Sequence, residues 1–143
     1  MVKVQEAEGG IVTDIAVVTS HDAQLLVPSI EHHRHIFKRP PRVVATDRGF
    51  FSFENVRIAE AMGVGCVVIP KPGHRSAACL ERERRRPFRR ARAWRAGGEA
   101  RIARLKHTFD MDRTRYRGAH GIERSAYWAG ISNNLVAIAR HAT

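Results

Sequence analysis

Arg42-Val43-Val44-Ala45-Thr46-Asp47-Arg48-Gly49-Phe50 is the stretch on which the fold turns. Entered from Pro40-Pro41 and left through an Asp-Arg-Gly turn, its short apolar run reads as a buried strand ending in a carboxylate. Ligands and metals are held at the carboxyl ends of strands in open α/β sheets. The pattern therefore points Asp47 into a site and leaves Val43 to Ala45 in the core. The same residues also read as an ordinary turn before Gly49, in which Asp47 has no chemical task.

Downstream, Ser52 can cap a helix through Ala61, with Glu54 or Asn55 in its first turn and Gly63 as its stop. Gly65-Cys66-Val67-Val68-Ile69 is a second buried strand, closed by Pro70-Lys71-Pro72-Gly73. Strand, helix, strand in that order predicts parallel pairing with a helical crossover. Gly63-x-Gly65 precedes a strand instead of joining strand to helix, so it is no nucleotide-binding loop. Upstream, Val2 to Glu6 and Ile11 to Val18 flank Gly9-Gly10 and predict a hairpin. Asp22 to about Phe37 follows as a helix, with Asp22 as N-cap and Leu25, Leu26, Ser29, Ile30, His33 and Phe37 near helical spacing. His32, His33 and His35 sit on its last turns, where positive charge suits the helix dipole, and a metal site built from them is the less favoured reading.

A chain of 143 residues with 43% hydrophobic content fits one α/β domain spanning residues 1–143. Its longest nearly unbroken apolar run, Ala61 to Ile69, is well short of the ~20 residues of a membrane span. No charged-then-apolar leader follows Met1, so the expectation is a soluble cytoplasmic protein with no membrane partner. Cys66 and Cys79 are the only cysteines and imply neither a disulfide framework nor a zinc site.

Charge is unevenly spread. Residues 1–73 hold 8 Lys+Arg against 8 Asp+Glu, and residues 74–143 hold 17 against 6, so the second half carries the whole net charge of +11. Of the 25 basic residues 21 are arginine, whose planar fork suits phosphate. A polyanion, most simply nucleic acid, is the expected partner, with a merely solvated basic surface as the alternative. Arg82, Arg84, Arg85, Arg86, Arg89, Arg90, Arg92 and Arg95 crowd one segment, with Pro87 breaking its helix. Phe88 and Trp94 are interleaved, and Trp94 reads as a core anchor. Thr108 to His120 reads as a basic loop, and Ile122 to Arg140 as a final helix with Ile131, Leu135 and Ile138 on one side.

At ~100° per residue, a continuous helix through Arg95, Glu99, Ile102 and Lys106 brings all four within about 60° of one another. Trp94, Gly98 and Leu105 fall on the adjoining face, which reads as the side packed on a sheet. Such a face could set one carboxylate beside a metal with cations flanking it for phosphate, or could be an exposed ion-pair stripe. Gly97-Gly98 favours the first, because consecutive helical glycines cost about 1 kcal/mol each and imply a close approach.

Thr46-Asp47-Arg48-Gly49-Phe50, and Arg95 with Glu99 and Lys106 after it, resemble the second and third acidic motifs of bacterial insertion-sequence transposases of the DDE type. The resemblance runs over nearly the whole chain: Gly9 to Asp14, Asp22 with Leu25-Leu26 and Pro28, Pro70 to Gly73, Trp94-Arg95-Ala96-Gly97, Asp112-Arg113 with Tyr116-Arg117-Gly118, and Asn134-Leu135. It implies an RNase H-like mixed sheet with flanking helices, and in-line phosphoryl transfer on DNA by two Mg²⁺ ions. Asp47 and Glu99 would be catalytic metal ligands. Arg95 and Lys106 would steady the DNA strand, joined by Arg84, Arg85, Arg86, Arg89, Arg90 and Lys71. A homodimer of the complete protein is expected on element ends and target DNA.

Two departures from the family pattern stand out. Arg92 occupies the place where the family often has a tyrosine. No Asp precedes Asp14, so the first acidic residue and its strand are missing, with Glu6 and Asp14 as poor substitutes. The chain is therefore expected to be a truncated transposase core, inactive alone. A non-enzymatic basic nucleic-acid-binding domain is the alternative, and another RNase H-like nuclease a third.

Overall fold

The structure, a computed structural model, describes residues 2–113 and 116–142. The basic loop predicted over Thr108 to His120 thus falls partly on residues 114 and 115, outside the described residues. The chain is mixed α/β and divides into two compact units, Ser20–Gly97 and Met1–Thr19 with Gly98–Thr143.

In the unit Ser20–Gly97, helix α1 (Asp22–Phe37) precedes strand β3 (Val43–Ala45), a single turn of 3₁₀ helix (Arg48–Phe50), helix α2 (Phe53–Ala61) and strand β4 (Cys66–Val68). Strands β3 and β4 pair in parallel, Val43 with Cys66, Val44 with Val67 and Ala45 with Val68. The crossover predicted from sequence is therefore present. Ser52 caps α2 by accepting a hydrogen bond from the Asn55 amide at 2.9 Å, and Gly63 leaves it with a φ of 89°. Leu26 and Ile30 of α1, Ala59 of α2, and Val64, Val67 and Ile69 around β4 form the core, with Val44, Phe50, Phe51, Val56 and Met62 packed against them. Helices α3 (Ala77–Arg84) and α4 (Arg86–Ala96) complete the unit, and α4 lies against both strands.

Several sequence expectations are corrected here. Val43 is 46% exposed and Val44 and Ala45 are only half-buried, because the described sheet has two strands and β3 has β4 on one side alone. The N-cap of α1 is His21, while Asp22 lies in the first turn, where its charge meets the positive end of the dipole. Phe88, 3% exposed, anchors α4; Trp94, 37% exposed, does not. The break expected at Pro87 is present: α3 ends at Arg84, Arg85 leaves helical geometry, and α4 restarts at Arg86 with the proline in its first turn, where no amide is needed.

In the other unit, β1 (Val2–Ala7) and β2 (Ile11–Val17) form the antiparallel hairpin expected from the sequence. Helix α5 (Gly98–Thr108) follows, and the long helix α6 (Ala119–His141) packs on β2. Contact with the hairpin is made by small residues: Ala126, Ala129, Gly130 and Ala137 of α6 are buried. A Cβ at Gly130 would stand 2.8 Å from Ile15 Cδ1, so glycine lets the helix approach the strand. Two asparagines fix the register. Asn134 accepts from the Val12 amide and donates to the Val12 carbonyl, both at 2.8 Å, and Asn133 donates to the Gly10 carbonyl at 2.8 Å.

Candidate functional site

Asp47 stands one residue past the end of the β3–β4 ladder, which closes with the Thr46 amide donating to the Val68 carbonyl at 3.1 Å. Its own carbonyl accepts from the Phe50 amide at 3.1 Å, so the chain turns sharply over Arg48–Phe50 and leaves the Asp47 carboxylate at the sheet edge, 59% exposed. Beneath the turn, the buried Asn55 side chain donates to the Phe50 carbonyl at 2.9 Å and to the Ala23 carbonyl at 2.7 Å, tying turn, α1 and α2 together. Asp22 lies against the same turn: a Cβ at Gly49 would stand 2.6 Å from its Oδ2. The sequence marked Asn55 only as a residue of a helix first turn. A buried side-chain amide joined to two carbonyls is visible only once the strands are in place.

The Arg95 guanidinium donates to the Asp47 carboxylate. Helical spacing sets Arg95 beside Glu99 on one helix, whereas the structure places them on two. The helix stops at Gly97, whose amide donates to the Trp94 carbonyl at 3.2 Å, and a new helix begins at Gly98. Glycine's low helix propensity accounts for the stop, and Arg95 then serves the strand end of its own unit. An exposed ion pair of this kind is worth roughly 0–1 kcal/mol, so an incoming cation or phosphate can exchange with either partner.

Arg84, Arg85, Arg86, Arg89 and Arg90 are all exposed on α3, α4 and their junction. The junction is held from inside. Arg82 donates to the Val67 carbonyl at 2.7 Å, and the largely buried Glu83 carboxylate meets Arg75 at 2.9 Å and Arg92 at 3.9 Å. Arg82 and Arg92 of the run are thus tied to the fold and Arg95 to Asp47, while Arg84, Arg85, Arg86, Arg89 and Arg90 carry no such tie among the described residues, a division that the sequence run does not reveal. Lys71 lies with Nζ 5.2 Å over the Phe53 ring, so its charge rests on an exposed aromatic at the edge of the same unit. His33 packs on the Phe37 ring, with centroids 4.5 Å apart. Burial first, and the Arg39 charge second, lower its pKa.

Glu99 and Lys106 belong to the other unit, exposed in the first and last turns of α5, while Gly98 and Leu105 turn inward. Glu6 and Asp14 are both engaged there, Glu6 with Arg101 and Asp14 with Lys3 at 2.6 Å. Among the described residues, no group of three or more His, Cys, Asp or Glu is gathered closely enough to hold a metal ion. Mg²⁺ commonly takes only one or two carboxylates and completes its shell with water and phosphate oxygens, and Asp47 is a hard oxygen donor of that kind.

Comparison of the chain with protein-family models, with curated proteins and with solved structures gives no match.

Proposed function

We propose that the chain is the catalytic-core portion of a DDE-type DNA transposase, an RNase H-like protein that acts on DNA by phosphoryl transfer. The observation that carries this reading is the Asp47 carboxylate at the carboxyl end of β3, engaged by Arg95 and set in the same unit as an exposed arginine surface. Asp47 would hold Mg²⁺, with Glu99 given the same task by the resemblance. The ion supplies activation of a water or 3′-hydroxyl and stabilisation of the leaving oxygen. With Asp47 holding an ion, Arg95 would be free to meet a phosphate, to which its fork can make two parallel bonds. Arg84, Arg85, Arg86, Arg89, Arg90, Lys71 and Lys106 hold the DNA backbone. With two assigned carboxylates where such a centre uses three, the chain alone binds DNA in a metal-dependent way without cutting it.

The exposed arginines also favour a second reading, a basic nucleic-acid-binding domain without metal chemistry. Fluorescence anisotropy with a short DNA duplex separates the two. Mg²⁺ ordinarily weakens protein–DNA binding by competing at the phosphates. Under the transposase reading it strengthens binding by the native chain, and Asp47→Asn or Glu99→Gln restores the ordinary weakening. Replacing Arg84, Arg85 and Arg86 by Gln should lower affinity and reduce the salt slope by roughly one per arginine lost. If Asp47→Asn leaves the Mg²⁺ response as it was, the binding-only reading replaces the enzymatic one.

A further inference from the structure

Helix α6 has two apolar sides, and among the described residues of its unit one is buried and the other exposed. Its small residues and Asn133 face the hairpin. The opposite side carries Tyr127, Trp128, Ile131, Leu135 and Ile138, each between 47 and 63% exposed. At ~100° per residue these five occupy an arc of about 100°, the width of a helix stripe that normally faces a core.

We propose that this stripe is a self-association surface, through which two copies of the chain pair α6 against α6. Three observations select a second copy as the occupant. First, Trp128, Ile131, Leu135 and Ile138 follow the 3-4-3 spacing of coiled-coil seam positions, which places a continuous row of knobs along one line of the helix. A row of that kind is complementary to itself. Second, the chain carries a net charge of +11, yet residues 125–139 contain no Asp, Glu, Lys, Arg or His. Two copies that would repel each other elsewhere can meet along this neutral stretch without opposing charges. Third, the area suffices: at ~150–250 Å² for each large aromatic and somewhat less for each aliphatic, the exposed parts amount to on the order of 500 Å² per copy. Two copies would bury about 1,000 Å², the lower bound of a specific interface. The helix is already ordered by its packing on β2, so pairing need not meet the cost of folding it. The inference is independent of the transposase reading and survives its failure.

Sedimentation equilibrium tests it on the full chain without DNA. The native chain should pass from monomer to dimer as concentration rises to about 0.5 mM, the weak regime expected of so small an interface. Raising salt from ~0.1 to ~0.5 M should strengthen the dimer or leave it unchanged, because salt screens the repulsion between two basic copies. Leu135→Glu should raise the dissociation constant by about tenfold or more with unchanged circular dichroism. In a Trp94→Phe chain, the emission of Trp128 should move to shorter wavelength in step with dimer formation. A chain that stays monomeric over this range, a Leu135→Glu chain that dimerises as the native one does, or phospholipid vesicles that shift Trp128 emission without any dimer would each overturn the proposal.

Discussion

The two units hold strands in place by different means. In Ser20–Gly97 a parallel pair of three-residue strands depends on branched aliphatic packing: Leu26, Ile30, Val67 and Val68 are nearly inaccessible, and the crossover helix gives Ala59 to the same core. In the hairpin unit the strands pair with each other in sequence, and α6 is joined to them by small residues and by asparagine side chains that act as ladder partners for Gly10 and Val12. One unit is secured by apolar volume, the other by directional hydrogen bonds and close approach. The first arrangement tolerates a polar, arginine-rich exterior. The second leaves the large side chains of α6 facing outward.

The strongest challenge to this contrast is Leu26→Ala. It removes a fully buried side chain from the aliphatic core and should destabilise the unit by about 2–5 kcal/mol, read from urea unfolding. The loss should be concentrated in Ser20–Gly97, seen as faster hydrogen exchange at Val67 and Val68. A smaller change is expected from Asn134→Ala, which leaves the Val12 amide and carbonyl without their partner and should cost about 1–3 kcal/mol. Here exchange should accelerate at Val12 while Val67 and Val68 remain protected. If Asn134→Ala were without effect on Val12 exchange, the asparagine bridges would be incidental and the hairpin unit would be held by packing as its counterpart is.

How much of this was legible in the sequence follows from the same contrast. The Val43 to Ala45 and Cys66 to Val68 strands, the Ser52 cap and the Gly9-Gly10 hairpin are local signals, and each stands where the residues put it. The helix of Arg95 to Lys106 failed because helical spacing assumes continuity, and Gly97 ends the turn that would provide it. The choice of Trp94 over Phe88 followed size, whereas the helix is anchored by the side that meets β3 and β4. On α6 the sequence aligned Ile131, Leu135 and Ile138 correctly, but apolar periodicity cannot say whether the hairpin takes that stripe or the small residues opposite. Of the site, Asp47 at a strand end was legible. Its partnership with Arg95 and its support by Asn55 depend on contacts between residues far apart in sequence.

The central claim is that Asp47 is a divalent-ion ligand, and its most direct test is paramagnetic. Mn²⁺, a hard cation that accepts the same oxygen ligands, broadens amide resonances near its binding site in a two-dimensional nitrogen–proton NMR spectrum. The account predicts selective broadening at Asp47 and Arg48, competed by Mg²⁺ and lost from both in Asp47→Asn. Broadening centred elsewhere, or at Asp47 and Arg48 with no response to the Asp47→Asn change, would contradict it.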